Sequence, residues 1–111
     1  ETAEAYLSPY NSWKNRVAVH NFVRDIPLEK SHRSYPLLKE IEDGLTRLNQ
    51  NHIPVMICWG GRDFCFNDHF FKEWKQRFPE SERYYFEDGG HYILEDEKGV
   101  IEPLIKDFLI R

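Results

Sequence analysis

The sequence predicts an α/β fold in which helices cover a parallel β-sheet, and it predicts that this chain forms one edge of that sheet. Two predicted strands, the apolar run 53–59 and the segment ERYYF at 82–86, are each followed by a pair of glycines, and an amphipathic segment separates them. The first segment is apolar without alternation, which is typical of a strand buried on both faces of a parallel sheet. A strand, a helix and a second strand in this order favour a right-handed parallel crossover. Because two strands cannot form a free-standing parallel sheet, we expect further strands beside them.

The N-terminal part of the chain is predicted to be helical. A short helix is expected over 2–7, before Ser8 and Pro9. A longer one is expected over 11–25, capped by Asn11 or Ser12, because its apolar residues recur at spacings of three to four. The first half of the chain therefore contributes helices rather than strands.

A polar connection over 28–33 leads to a third predicted helix over 34–48, with Ser34 as a possible N-cap. One apolar stripe defines this helix: Leu37, Leu38, Ile41, Leu45 and Leu48. Between the two strands, Asn67 or Asp68 is expected to cap a helix that Pro79 ends. A final amphipathic helix is expected over 96–110, where Pro103 either bends it or marks a late start.

Composition and charge exclude several classes of protein. The net charge of −4 is spread along the chain, and no run of Lys and Arg offers a surface for phosphates, so we expect no nucleic-acid partner. No apolar run approaches the roughly 20 residues of a membrane span, and no segment resembles a signal peptide. The five histidines and two cysteines lack metal-ligand spacing, so no metal and no cofactor are expected. Cys58 and Cys65 are interpreted as reduced thiols of a cytoplasmic protein.

A catalytic acid and base are predicted where the two strands end. Asp63 follows Gly60 and Gly61 after the first strand, and His91 follows Gly89 and Gly90 after the second. In open parallel sheets ligands bind at the carboxyl ends of the strands, so both side chains should lie at one edge. A carboxylate beside an imidazole fixes its tautomer and stabilises its protonated form. Taken singly, Asp63 could be a turn residue and His91 a loop histidine, and Asp88 is a rival carboxylate that we interpret as a turn former.

The segments WGGRD, RFPES and DGGHY, in this order, resemble the last two strands and helices of α/β-hydrolases. That family places nucleophile, acid and histidine in this chain order, so Asp63 and His91 match its second and third members. No pair of glycines has the spacing of a nucleophile elbow, and the chain does not start with methionine. We therefore expect a C-terminal portion whose nucleophile lies upstream, and we expect this portion alone to be inactive.

The segments NSWKNRVAVHNFVRDIPL and WGGRDFCFNDHFFKEWKQRFP are similar to haloalkane dehalogenases and to the β-lactone decarboxylases of long-chain olefin biosynthesis. The resemblance implies that 1–27 ends a helical cap and that 28–111 belongs to the hydrolase core. It also implies an aspartate nucleophile that forms a covalent ester, which His91 helps to resolve. A small apolar organic substrate would then contact Phe64, Phe66 and Tyr92, and Trp13 on the cap helix, although aromatic residues also serve in ordinary core packing.

Two alternatives remain open at this point. An epoxide hydrolase or a serine esterase would use the same fold and the same acid–histidine pair. A non-catalytic binding module of this fold is the alternative from another class. Because neighbouring strands are expected to be missing, the chain is also predicted to self-associate or to pair with the N-terminal part.

Overall fold

A computed structural model describes residues 2–111, which form an α/β arrangement of helices and a two-stranded parallel sheet. The chain divides into two units, the first ending at Gly44 and the second covering Leu45–Arg111. The boundary expected at residue 27, between a helical cap and a hydrolase core, stays a prediction.

The first unit is helical, as the sequence predicts. It contains α1 (Thr2–Leu7), a 3-10 turn (Ser8–Tyr10), α2 (Trp13–Arg24) and α3 (Tyr35–Gly44). Ser12 is the N-cap of α2, where its side chain accepts a hydrogen bond from the backbone N–H of Asn15 at 3.4 Å. This contact decides between the two predicted caps, because it satisfies an N–H that the first turn leaves unpaired.

The single helix predicted over 34–48 is wrong, because two helices occupy that stretch. The first of them, α3, ends at Gly44, and α4 (Thr46–Gln50) begins after Leu45. Glycine lowers helix stability in an interior position, so the helix is interrupted where its backbone is least stable. Leu45 and Leu48 belong to the second unit, where they pack against its core.

The sheet consists of β1 (Met56–Gly60) and β2 (Glu82–Phe86), with α5 (Asp68–Arg77) between them in the sequence. The strands are parallel, with Met56 beside Glu82 and Gly60 beside Phe86, which confirms the predicted parallel pairing. The first strand begins at Met56 rather than at 53, although the N–H of Glu82 still donates to the carbonyl of Val55 at 3.0 Å. Pro54 has no N–H to donate, so regular pairing starts after it.

The core of the second unit lies between β1 and α5. Ile57, Phe71 and Phe78 are buried together, and Trp59 stacks on Phe71 with ring centroids 5.6 Å apart. Tyr85, the register partner of Trp59, contacts the same Phe71 ring at 5.2 Å. Within β1, Ile57 and Gly60 are buried and the other residues are half-buried. The expected burial on both faces is therefore incomplete in this two-stranded sheet, which lacks the cover that larger parallel sheets have.

The last predicted helix is also divided. A single turn, α6 (Ile93–Asp96), precedes α7 (Lys98–Leu109), so the main helix starts two residues later than predicted. Pro103 lies inside α7, and Ile101 is the most deeply buried residue there, with 1% of its surface exposed.

Cys58 and Cys65 are free thiols. In residues 2–111 no helix combines the length and the apolar character that crossing a membrane requires.

Candidate active site

The candidate site lies at the carboxyl edge of the sheet, where the turns after β1 and β2 are bound to each other through their backbones. The N–H of Gly61 donates to the carbonyl of Phe86 at 2.8 Å, and the N–H of Arg62 donates to that of Gly89 at 2.9 Å. A Cβ atom at Gly60 would lie only 2.5 Å from the carbonyl oxygen of Gly90 and 2.6 Å from that of Gly89. The close approach of the two turns therefore requires glycine at position 60.

Asp63 and His91 are brought into direct contact by this arrangement. The Nδ1 atom of His91 lies 3.0 Å from Oδ1 and 3.1 Å from Oδ2 of Asp63. The Asp63 side chain is 11% exposed and that of His91 is 30% exposed, so the pair is partly shielded but reachable. With Nδ1 facing the carboxylate, Nε2 is the nitrogen that can exchange a proton with a ligand. The predicted geometry is thus observed, and the catalytic role of both residues stays a prediction.

Asp63 is held in place by its own turn as well as by the histidine. Its Oδ1 accepts hydrogen bonds from the backbone N–H groups of Cys65 and Phe66, both at 2.8 Å. Desolvation raises the pKa of Asp63, but these N–H groups and His91 outweigh it, so the pKa lies below its ordinary value of 3.8. The carboxylate is therefore ionised and fixed in orientation, as an acid that supports a histidine must be.

Three aromatic rings surround the imidazole of His91. Phe66 stacks on it with a centroid distance of 5.6 Å and an interplanar angle of 27°, while Phe64 and Tyr92 approach at 5.3 and 5.5 Å. Their exposed fractions are 85% for Phe64, 46% for Phe66 and 62% for Tyr92. These rings are accessible rather than packed in the core. They form an apolar surface beside the acid–histidine pair.

Five of the six residues predicted for the site lie together in the second unit, and Trp13 lies in the first. On α2, Trp13 is 67% exposed, and its ring packs 5.6 Å from that of His20. Its predicted contact with substrate stays a prediction.

Asp88, the rival carboxylate, forms an ion pair with Arg62 in the turn after β1. It is thus bound to a cation of the opposite turn, while Asp63 is the carboxylate on His91. Both partners are more than 70% exposed, so the pair adds little stability by itself. Sequence reasoning did not assign a role to Arg62, although its position beside Asp63 and opposite an acidic turn was a usable signal.

Phe70 is a second residue that the sequence analysis missed. It lies in the helix predicted between the two strands, where it is 41% exposed and contacts Phe66 edge-on at 5.4 Å. It therefore extends the aromatic surface beside His91 onto the first turn of α5. Among the residues that the structure describes, no three His, Cys, Asp or Glu side chains gather closely enough to hold a metal ion.

Two curated proteins resemble nearly the whole chain. A cis-3-alkyl-4-alkyloxetan-2-one decarboxylase of Shewanella oneidensis is 42% identical over 106 residues, which are 96% of this chain and 33% of the relative. A protein of the same name from Xanthomonas campestris pv. campestris is 38% identical over 107 residues, which are 96% of this chain and 35% of the relative. No protein-family profile matches the chain, and no solved structure matches it. The chain thus spans about a third of the length of the curated relatives it matches, and those relatives are enzymes named for removing CO2 from a β-lactone.

Proposed function

We propose that this chain adopts the C-terminal part of an α/β-hydrolase fold and supplies the acid and the histidine of a β-lactone decarboxylase. The nucleophile in this proposal is an aspartate from another part of the fold. The single observation that carries the proposal is the 3.0 Å contact between Asp63 and His91 at the carboxyl edge of two parallel strands. The similarity to named β-lactone decarboxylases supports this activity over the others that such a pair can serve.

His91 acts in this proposal through its Nε2 atom. Asp63 accepts the Nδ1 hydrogen, so Nε2 is the ring nitrogen left to face the substrate. Decarboxylation transfers no proton overall, so the ring acts in its protonated form as a positive charge, which the ionised Asp63 carboxylate stabilises. The aspartate nucleophile displaces the ring oxygen of the lactone and forms an ester, and the protonated ring offsets the negative charge of the carboxylate that this step releases. That carboxylate leaves as CO2 while the ester bond breaks and the alkene forms.

The substrate in this proposal is a β-lactone that carries alkyl chains. Phe64, Phe66, Phe70 and Tyr92 offer aromatic surface beside His91, which suits an apolar chain better than a polar one. Removal of CO2 from a 3,4-dialkyl oxetan-2-one leaves an alkene and consumes no water. Dehalogenation, epoxide opening and ester hydrolysis each consume one water molecule, so the products distinguish these alternatives.

A graft into the Shewanella relative tests the proposal. In this chimera, the chain replaces the matching 106 residues of that enzyme. The chimeric enzyme is then supplied with a cis-3,4-dialkyl oxetan-2-one as substrate. We expect alkene and CO2 in equal amounts. Asp63→Asn and His91→Ala should each lower kcat by about a hundredfold or more, the usual range for a lost charge-stabilising group. The matched controls Asp107→Asn and His52→Asn change exposed residues away from the site and should leave the rate unchanged.

Two results would contradict the proposal. A folded graft with no turnover, while the parent enzyme is active in the same assay, would show that this chain does not support the reaction. A β-hydroxy acid in place of the alkene would show hydrolysis of the lactone and favour an esterase. Circular dichroism of every variant separates loss of chemistry from loss of fold.

A further inference from the structure

The turn that carries His91 forms a hydrogen bond with a carboxylate outside the acid–histidine pair. The N–H of Gly90, immediately before His91, donates to Oδ2 of Asp96 at 2.8 Å. The backbone N–H of Asp96 donates in turn to the carbonyl of Tyr92, immediately after His91, at 3.0 Å. Asp96 therefore binds the backbone on both sides of the histidine, once through its side chain and once through its main chain.

The peptide group between Gly89 and Gly90 is hydrogen-bonded on both of its sides. Its carbonyl oxygen, on Gly89, accepts the N–H of Arg62 in the first turn at 2.9 Å, and its N–H, on Gly90, donates to Asp96. Asp96 is therefore the second of two contacts that set the orientation of this group, and a change in that orientation would redirect the chain at His91. The contact between His91 and Asp63 is 3.0 Å long, and a hydrogen bond weakens within a few tenths of an ångström beyond that. Small movements of this peptide group are therefore enough to loosen the pair.

An ordinary capping role does not account for the Asp96 side chain. Asp96 ends α6 and lies just before α7, where a carboxylate commonly caps a helix N-terminus. The N-cap residue of α7 is Glu97, and it makes no side-chain cap hydrogen bond. The hydrogen bond that Asp96 makes through its carboxylate is to the turn of His91, six residues back along the chain.

We propose that Asp96 is a positioning residue, whose carboxylate holds the Gly90 peptide so that the His91 imidazole stays on Asp63. The proposal rests on the function proposed above, in which Nε2 of His91 faces the reacting groups. It concerns the orientation of the histidine and can be measured without turnover. A charge-assisted hydrogen bond from a backbone N–H is suited to this role, since it is short and directional.

The test compares Asp96→Ala with Asp96→Asn in the 111-residue chain by ¹⁵N NMR. Asparagine keeps an oxygen acceptor at the same distance, whereas alanine removes it. In the unmodified chain we expect a strongly deshielded Nδ1 proton on His91 and, in the tautomer observed at alkaline pH, a ring protonated on Nδ1. Asp96→Ala should lose the deshielded proton, move the ring toward the Nε2–H tautomer and speed hydrogen exchange at Gly90 about tenfold. Asp96→Asn should retain all three signals.

A folded Asp96→Ala variant with unchanged tautomer and unchanged Nδ1 proton would overturn the proposal. Equal loss of the signals in Asp96→Ala and Asp96→Asn would also overturn it, because the acceptor would then not be the determinant. If Asp96→Ala does not fold, Asp96→Ser, which is too short to reach Gly90, is measured instead against the same criteria. Failure of the function proposed above would appear as an inactive graft with normal His91 signals, so the two failures are distinguishable.

Discussion

Gly60→Ala should separate the two turns that carry Asp63 and His91. A Cβ at this position would lie 2.5 Å from the carbonyl oxygen of Gly90, where ordinary van der Waals contact starts at 3.4 Å. The atoms it meets are backbone atoms of Gly89 and Gly90, so relief requires the turns to move apart by about 0.9 Å. That displacement lengthens the 3.0 Å contact between His91 and Asp63 beyond hydrogen-bond range.

The expected cost in the free energy of unfolding is about 2 kcal/mol, within the usual range for overpacking a closed site. The φ of Gly60 is not positive, so alanine is strained there by contact and not by backbone conformation. The measurement is urea unfolding, followed through the amide signals of β1 so that it reports on the second unit, together with the Nδ1 proton of His91. The matched control is Gly99→Ala in the first turn of α7, where a Cβ meets nothing within 4 Å and alanine favours the helix.

We expect Gly60→Ala to be destabilised and to lose the His91 signal, while Gly99→Ala is as stable as the parent chain or slightly more stable. A Gly60→Ala chain with parental stability and an intact Nδ1 proton would refute the reasoning, because the turns would then not need their close approach. Equal destabilisation by both substitutions would refute it too, since the effect would not depend on the contact with Gly89 and Gly90.

Two further predictions follow from the charge and the exposed surface of the chain. Asp63→Asn should cost about 1 kcal/mol near neutral pH, because a neutral oxygen replaces a charged acceptor. Folding lowers the pKa of Asp63, so its contribution is present above 3.8 and is lost as pH falls through the lower folded value. The two chains should therefore converge in urea unfolding as the pH is lowered below 3.8. A difference that stays constant as the pH is lowered would exclude this origin. On α3, Leu37 and Ile41 are 58% and 56% exposed, so the chain should self-associate at micromolar concentration. Ile41→Lys should lower the mass in light scattering toward that of the 13.4 kDa monomer, whereas Glu40→Lys, a change of charge on the polar side, should not.

The candidate site was predictable to the extent that it depends on chain order. Each strand ends in a pair of glycines followed by a polar residue, and the parallel crossover puts both ends at one edge of the sheet. This is enough to bring Asp63 and His91 close together. The exact partner of the histidine was harder, because Asp88 is only three residues from His91 in the sequence. Its side chain pairs instead with Arg62 across the gap between the turns.

Helix boundaries were the part of the fold that local pattern predicted least well. The apolar stripe continues through Gly44, so periodicity alone gave one helix where the structure has α3 and α4. The start of α7 was misplaced for a related reason. The segment 93–98 contains no proline or glycine that would mark a break, and the break at Glu97 comes directly after Asp96, which binds the N–H of Gly90.

The sequence by itself determined the class of fold, the parallel order of the strands and the pair of residues at their carboxyl ends, because these follow from side-chain periodicity, from glycine positions and from the handedness of the crossover. The tertiary structure alone decided how that pair is held. The 2.8 Å hydrogen bonds that fix Asp63, the stacking of Phe66 on His91 and the closure of the turn by Asp96 depend on backbone positions to within a few tenths of an ångström. Residue type and spacing do not specify such distances, because they arise only when the two turns pack against each other.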